Sequence, residues 1–396
     1  MNSQTQQEGS KARVLIAGGG VAAVEAMVAL RALAGDRVEV ELHAPRQDFV
    51  YRPLAVGEPF LAGELIEFDL EDLAGRAGAT FCLDSVIGVD PDNRHVSTPD
   101  RDEVPYDYLL ICPGAKMLAA VSGAETFWGV SDEGGVAETI GRLRAGELHR
   151  LAFTIPAASW PLPIYELALL AEAELSRLGS RDAATLTIVT PEDIPLGVFG
   201  TQVGERVGEL LGERGIELVT GSHAIKFNDG LLHVTPGEPI EADAVISTPG
   251  IEGRQIGGIP TDPSGFIPVD EFSRVVGLDR VYAAGDVTAF PVKQGGIATQ
   301  QADVAAEAIA AAVGVDLAPR PFDPVLRATL WTGEKPQYLY GKLSGGFGET
   351  SVFSDHALWE HEGKIAGRYL APFLNATPGK AGPGSHTGPQ PQVAAR

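Results

Sequence analysis

The stretch that most constrains the fold covers residues 13–30 and reads RVLIAGGGVAAVEAMVAL. An apolar, strand-like run is followed by three glycines and then by small and apolar residues at helical spacing. Gly18, Gly20 and Ala23 match the G-x-G-x-x-G/A pattern, in which a tight turn and a bare backbone approach a pyrophosphate at a helix N-terminus. The pattern predicts a dinucleotide-binding turn, and a glycine-rich turn without a ligand is the alternative.

A strand predicted over residues 38–42 completes a βαβ unit around this turn. In such units an acidic residue near the end of the second strand holds a ribose hydroxyl. Glu41 is the candidate for that role. Its alternative interpretation is a solvated residue on the face of the strand.

Composition narrows the function classes. The chain has 396 residues, enough for two domains. Its net charge of −23 argues against nucleic acid and anionic membrane surfaces as partners. The two cysteines and eight scattered histidines show no disulfide framework and no metal-binding spacing. The polar N-terminus lacks a signal sequence, and no run reaches the ~18 apolar residues of a spanning helix, so we expect a cytoplasmic protein without integral membrane contact.

Residues 49–60, FVYRPLAVGEPF, predict a loop because prolines interrupt regular structure. Such a loop can present its backbone at Arg52 and Pro53 to a flat ring, or it can be an ordinary packed surface loop. Short β-runs are predicted over 80–90 and 94–98. An apolar strand follows at 106–115 and ends in Pro-Gly-Ala, where we expect the chain to leave the first domain.

A second βαβ pattern comes next, with strands predicted at 151–156 and 185–190 and helices at 165–178 and 202–213. Its first turn, residues 156–163, reads PAASWPLP and contains three prolines and no glycine. Side chains occupy the space into which backbone N–H groups would have to point, so the sequence shows no evident binding site for a second dinucleotide.

Two further strands, ADAVISTPG at 242–250 and VYAAGDVTA at 281–289, give the pattern its specificity. Together with the first glycine turn, their order resembles the two-dinucleotide-domain flavoproteins of the pyridine nucleotide-disulfide oxidoreductase superfamily. Within it, residues 13–312 are most similar to the branch of sulfide:quinone oxidoreductases and type II NADH dehydrogenases. The resemblance implies an α/β fold with two Rossmann-like domains, the second inserted in the first, and a non-covalent FAD.

The resemblance also implies site residues. Gly18, Gly20 and Ala23 would take the FAD pyrophosphate. Val86 would meet the adenine through its backbone, Gly114 would close the adenosine side, and the pair Gly285-Asp286 would approach the cofactor, where the Asp286 carboxylate accepts hydrogen bonds from polyol or phosphate groups.

The departures from the family are equally informative. Cys82 lies in a β-run and Cys112 inside the Pro-Gly-Ala strand, so we expect inert thiols rather than the catalytic cysteines of sulfide:quinone oxidoreductases. The glycine-rich second turn of type II NADH dehydrogenases is missing. Residues 364–374 form a short amphipathic segment that we expect to pack on the flavin domain rather than on lipid.

Two groups remain as candidates for chemistry. Glu166 matches the glutamate that lies close to the isoalloxazine in type II NADH dehydrogenases, where a buried carboxyl can relay a proton. Its alternative is a charge favoured by the helix dipole. Lys293 precedes Gly295-Gly296 and a predicted helix aimed at the pyrimidine end of the flavin, and its alternative is a solvated surface lysine.

We predict an FAD-binding domain from residues 13–117 and 251–320, a second Rossmann-like domain at 118–250, an interface segment at 321–374, and disordered ends at 1–12 and 375–396. The predicted function is electron transfer through FAD from a small-molecule donor to a quinone or another small acceptor. The alternatives are an NAD(P)H dehydrogenase with an atypical nicotinamide site and a flavin-binding sensor without turnover.

Overall fold

The computed structural model describes residues 11–63, 65–129, 135–344, 347–360, 363–377 and 379–381. Two parallel sheets flanked by helices dominate this part of the chain. They confirm the predicted α/β class with two Rossmann-like units. No helix among the described residues is both long and apolar enough to cross a bilayer.

The α-helices of the described residues are α1 Val21–Ala34, α2 Leu70–Ala77, α3 Val136–Arg144, α4 Leu162–Leu178, α5 Thr201–Glu213, α6 Gly295–Ala312 and α7 Leu370–Asn375. The strands up to the start of the second large sheet are β1 Ala12–Ala17, β2 Val38–Ala44, β3 Asp48–Val50, β4 Ile66–Asp69, β5 Thr80–Leu83, β6 Gly88–Asp90, β7 His95–Ser97, β8 Val104–Pro105, β9 Tyr108–Ile111, β10 Lys116–Leu118, β11 Glu125–Thr126 and β12 Arg150–Thr154. The remaining strands are β13 Thr185–Val189, β14 Glu217–Val219, β15 His223–Asn228, β16 Leu231–Thr235, β17 Ile240–Glu241, β18 Ala244–Ser247, β19 Gly250–Glu252, β20 Val281–Ala283, β21 Val325–Leu330, β22 Gln337–Ser344, β23 Phe347–Ser354 and β24 Lys380–Ala381.

The first sheet has the strand order β20-β9-β1-β2-β5, and all its pairs are parallel. The strand order reverses between β1 and β9, because β2 lies on one side of β1 and β9 on the other. In open parallel sheets this switch point leaves a crevice beyond the carboxyl ends of the strands, where ligands bind.

The layers around the first sheet follow from alternation along its strands. Val14 and Ile16 of β1 face the alanine-rich helices α1 and α6, which pack against each other. Leu15 and Ala17 face the opposite way, toward the small antiparallel sheet β6-β7-β8. The small residues of α1 allow the helix to lie close to the sheet, so the glycine turn before it is held rigidly.

The second sheet has the order β11-β18-β12-β13-β14 and is also parallel throughout. Its switch point lies between β12 and β18. The antiparallel pair β10-β19 forms where the chain passes from the first sheet to the second and returns. The sheet β21-β22-β23 packs on α6 and α5.

The predicted loop at 49–60 is wrong in part. Phe49 lies in β3, and Arg52–Phe60 form a 3-10 helix. Pro53 occupies its first turn, where a missing N–H costs nothing, and Pro59 lies inside the helix, one residue before its end. Of the predicted disordered ends, residues 1–10, 378 and 382–396 lie outside the described residues. Ala12 begins β1, and β24 pairs with β4, so these parts of the ends form ladder hydrogen bonds.

Candidate functional site

Three turns meet at the carboxyl edge of the first sheet. Gly18 to Gly20 follow β1, Gly114 follows β9, and Gly285-Asp286 follow β20. Because β20, β9 and β1 are neighbouring parallel strands, their ends lie side by side at the switch point. The structure thus brings together the turns that the sequence predicts for the cofactor.

The glycines in these turns leave open space. Gly20 is the N-cap of α1, no side chain caps that helix, and a Cβ added to Gly20 would meet nothing within 4 Å. Gly114 has φ +70° and is equally open. At Gly18, by contrast, a Cβ would lie 2.2 Å from the carbonyl oxygen of Cys112, so this glycine lets the β1 and β9 turns touch. Ala23 is fully buried within α1.

Asp286 is the charged group at the centre of these turns. Its carboxylate accepts no hydrogen bond from any described residue. Desolvation raises its pKa, and the positive charges of Lys293 and Arg52 act in the opposite direction. Gly285 beside it has φ +84°, and its N–H donates to Gln301 Oε1 at 2.8 Å, which fixes the turn. A carboxylate held this way is free to accept hydrogen bonds from a polyol.

Lys293 is half-buried, so it is not a freely solvated surface lysine. Its ammonium donates to the carbonyl oxygen of Thr288 and lies 3.8 Å from the centroid of the Phe266 ring. Burial lowers the pKa of Lys293 to about 8, while Asp286 and Asp262 favour its charged form. It therefore adds a positive charge at the start of α6, next to Asp286.

The 3-10 helix and the loop after β5 hold the other predicted cofactor contacts. Arg52 begins the helix, and its Nη1 donates to Met117 Sδ at 3.6 Å, while Pro53 follows it. Val86 lies in the extended segment between β5 and β6 and is half-buried. The assignments of Arg52, Pro53 and Val86 to the cofactor stay predictions.

Glu166 is the fifth residue of α4 and is almost completely buried. Its Oε1 accepts the backbone N–H of Trp331 at 2.8 Å and forms an ion pair with Lys364. The Lys364 ammonium also lies 4.1 Å from the centroid of the Trp331 ring. Burial raises the pKa of Glu166, and Lys364 opposes that shift. Glu166 is thus half of an enclosed charge pair, which differs from the exposed helix charge considered as its alternative.

Glu41 lies inside β2, three residues before the strand ends. Its Oε2 is 3.4 Å from Nε2 of His43, and Cys82 of β5 completes a cluster with them. The side chain is engaged with this cluster, and its predicted contact with a ribose hydroxyl stays a prediction.

At the switch point of the second sheet, the turn after β12 is hydrogen-bonded to the segment after β18. Ser159, in the turn after β12, donates to the carbonyl oxygen of Pro249 at 2.9 Å and contacts Thr248 Oγ1 at 3.0 Å, both just after β18. The acidic residue after β13, Glu192, is also occupied, because it accepts hydrogen bonds from Tyr165 and Thr190. A cavity of about 190 Å³ remains between this turn and the segment that ends at Lys293.

Comparison with known proteins adds a family and a fold. A model of the family described as pyridine nucleotide-disulphide oxidoreductase matches residues 166–312. The chain is 29% identical over 219 residues to the sulfide-quinone reductase of Aquifex aeolicus, covering 52% of this chain and 50% of that protein. It is 26% identical over 231 residues to an NADH dehydrogenase-like protein of Mycobacterium tuberculosis, covering 56% and 58% of the two chains. The chain thus spans a little over half the length of these relatives.

The crystal structure of sulfide:quinone oxidoreductase from A. aeolicus superimposes with a TM-score of 0.74 at 20% identity, and the match covers 87% of both chains. The match over residues 166–312 supports the pyridine nucleotide-disulfide oxidoreductase family that the sequence predicts, and the superposition shows the same fold. A sulfide-quinone reductase and an NADH dehydrogenase-like protein are thus among its relatives, and these are the two groups that the sequence is predicted to resemble most.

Sequence reasoning missed Lys364 and Trp331 as partners of Glu166. Lys364 stands 198 residues away from Glu166, in a segment whose only visible signal was amphipathic spacing. The segment packs as expected, since α7 contacts α1 and the backbone N–H groups of Tyr369 and Leu370 donate to Glu25.

Proposed function

We propose that this oxidoreductase binds FAD non-covalently and passes electrons through it to a quinone or another small acceptor. The observation that carries the proposal is the meeting, at one switch point, of an uncapped helix N-terminus, two open glycine positions and a carboxylate to which no described residue donates a hydrogen bond. These features suit a pyrophosphate, a close-lying ring system and a polyol chain. FAD, when bound, supplies reversible two-electron redox chemistry.

Each turn has a defined part in the proposal. The free N–H groups of α1 around Gly20 hold the pyrophosphate, and the open face of Gly114 accommodates the adenosine side. Asp286 accepts hydrogen bonds from the ribityl hydroxyls. Lys293 and the N-terminus of α6 favour negative charge at the pyrimidine end of the isoalloxazine.

We further propose that Glu166 holds and releases a proton near the redox centre. A carboxyl whose pKa is raised by burial can exchange protons closer to neutral pH than an exposed one. Lys364 keeps the charged form accessible, because its ammonium stabilises the carboxylate. The pair therefore suits proton uptake that accompanies reduction of a quinone.

The donor is proposed to be a small molecule rather than a nicotinamide dinucleotide. Ser159 closes the second crevice, and Glu192, at the position suited to a ribose, is already bonded to Tyr165. The cavity of about 190 Å³ beside this turn is below the usual range for drug-sized ligands, roughly 300–1,000 Å³. The name of the mycobacterial relative favours NADH as donor, so NADH belongs in the test.

The test is anaerobic spectroscopy of the purified full-length protein. A yellow protein that releases FAD on denaturation is expected, and its flavin absorption should bleach with sulfide or a reduced quinone analogue and only slowly with NADH or NADPH. A protein without flavin, reconstituted or native, would refute the cofactor. Flavin that no donor reduces would leave the sensor interpretation. We place the protein in the cytoplasm, where its two free cysteines stay reduced.

A further inference from the structure

A cluster of three metal-binding residue types lies in the first sheet, outside the predicted flavin contacts. Glu41 and His43 stand two residues apart on β2 and therefore face the same side of the sheet. Cys82 of β5 lies directly opposite His43 in the strand register. One oxygen, one nitrogen and one sulfur from these side chains all lie within 4.8 Å of one another.

The cluster is apolar on the side that faces β1, and the charged side chains of Arg101 and Asp84 lie near Cys82. The neighbours of Glu41 and His43 across the pair with β1 are Leu15 and Ala17, which belong to the hydrophobic layer under β6-β7-β8. The His43 ring is buried, with 1% of its surface exposed, and its Nδ1 has no hydrogen-bond partner in the described part of the chain. The other ring nitrogen, Nε2, faces Glu41 Oε2 and is the one that can bind an ion together with Glu41.

The distance between Glu41 and His43 fits two ligands of one ion better than it fits a hydrogen bond between the two side chains. Glu41 Oε2 and His43 Nε2 are 3.4 Å apart, longer than a good hydrogen bond of about 2.7–3.2 Å. Two ligand atoms at about 2.0 Å from a tetrahedral Zn²⁺ lie about 3.3 Å from each other. The sulfur of Cys82, on the neighbouring strand, lies within 4.8 Å of both.

We propose that Glu41, His43 and Cys82 form a Zn²⁺ site with an open fourth position. A carboxylate, an imidazole and a thiolate are all ligands that Zn²⁺ accepts, and their charges balance those of the ion. On binding, the Cys82 thiol releases its proton to solvent as the sulfur–zinc bond forms. Glu41 keeps 30% of its side chain exposed and Cys82 is half-buried, so an ion and a water ligand can enter from solvent.

The site would join β2 to β5, the edge strand of the first sheet. It uses the carboxylate that the sequence alone assigned to a ribose hydroxyl. The two interpretations separate cleanly, because loss of a ribose contact weakens FAD binding while loss of a zinc ligand weakens metal binding.

The experiment titrates the untagged, flavin-loaded protein with Co²⁺ and then with Zn²⁺ after chelator treatment. One equivalent of Co²⁺ should give tetrahedral d–d bands to the red of the flavin absorption, and Zn²⁺ should abolish them. A chromophoric chelator in competition gives the Zn²⁺ affinity. Cys82→Ser and Glu41→Gln should each weaken Zn²⁺ binding by about 100-fold or more, since even outer-shell changes cost 10- to 100-fold.

Glu39→Gln is the matched control, because Glu39 lies on the same face of β2, is exposed, and stands outside the cluster. It should bind Zn²⁺ like the unmodified protein. Absence of stoichiometric binding, or equal affinity in Cys82→Ser and the unmodified protein, would overturn the site. FAD content measured on the same samples is expected to stay unchanged in Glu41→Gln. If Glu41→Gln loses FAD and keeps its Zn²⁺ affinity, Glu41 is assigned to the ribose contact and not to the metal.

Discussion

Replacing Lys364 by methionine tests the buried charge pair most directly. Methionine keeps the length of the side chain over the Trp331 ring and removes the ammonium that lies 4.1 Å from its centroid. Glu166 then keeps one hydrogen bond, from the Trp331 N–H at 2.8 Å, in a site that is only 2% exposed. The variant therefore leaves a buried carboxylate without its counter-charge.

The loss in the free energy of unfolding has an upper limit, because the Glu166 carboxyl can take up a proton instead of staying charged. For a glutamate with an unfolded pKa near 4.3, protonation at pH 7 costs roughly 2.7 pKa units at about 1.4 kcal/mol each, or about 4 kcal/mol. Breaking a buried pair typically costs about 3–5 kcal/mol. We therefore expect Lys364→Met to lose about 3–4 kcal/mol of stability at pH 7, unlike Lys335→Met, an exposed control.

The sign of the pH dependence follows from the pKa. Burial already raises the pKa of Glu166 in the folded protein, and loss of Lys364 raises it further. A carboxyl with a raised folded pKa destabilises the fold as pH rises above its unfolded pKa. The stability that Lys364→Met loses relative to the unmodified protein should therefore be small near pH 5 and grow toward pH 8. The double variant Glu166→Gln/Lys364→Met should recover most of the loss, because no uncompensated charge remains.

The assay is urea unfolding followed by tryptophan fluorescence and far-UV circular dichroism at pH 5 and pH 7. The midpoint is compared, because a chain with two large sheets need not unfold in one step. At an m-value of about 2–3 kcal/mol/M, the expected loss lowers the midpoint at pH 7 by about 1–2 M urea. A deficit that is equal at both pH values, or a double variant as unstable as Lys364→Met, would refute the reasoning.

Three further predictions concern the proposed flavin. Gly20→Glu should weaken FAD binding by about 100-fold or more in a fluorescence titration, since a like charge about 4 Å from a phosphate costs up to about 4 kcal/mol at an effective dielectric near 20. The control Gly212→Glu, at an equally open helix position, should retain FAD. Stopped-flow reduction by NADH should not saturate at micromolar concentrations, because three prolines and the hydrogen-bonded Ser159 occupy the turn at 156–163. Saturation in that range would contradict the proposal that this turn holds no dinucleotide. Lys293→Met should lower the two-electron reduction potential of the flavin at pH 7, by about 30 mV for each 1.4 kcal/mol of electrostatic stabilisation lost. The difference in potential between variant and unmodified protein should narrow above pH 8, where Lys293 loses its proton. An unchanged potential in an anaerobic dye titration would reject the role of Lys293.

Local patterns were sufficient for the fold class. The glycine turn after β1 and the apolar strands that end in Pro-Gly or Gly-Asp are short-range features, and their order predicted two Rossmann-like units. The predicted helix at 202–213 differs from α5 by a single residue at its start. The helix at 165–178 was predicted three residues too short, because the prolines before it were read as part of the turn, although proline suits the first turn of a helix.

Long-range pairings were beyond local patterns. Glu166 and Lys364 meet only because α4 and the segment after β23 pack on the same part of the molecule. His43 and Cys82 meet through strand register, which spacing rules for metal sites do not cover. The 3-10 helix at Arg52–Phe60 was missed because proline was weighed as a breaker throughout.

The pairing of β10 with β19 has a consequence for how such a chain can change. The residues that enter and leave the second unit are direct neighbours, with Leu118 opposite Gly250, so their Cα atoms lie about 5 Å apart. A gap of that size can be bridged by a tight turn. The second unit is thus joined to the first by two chain segments that lie side by side. A lineage could remodel its nucleotide turn, or exchange the whole unit, while the register of the first sheet stayed as it was.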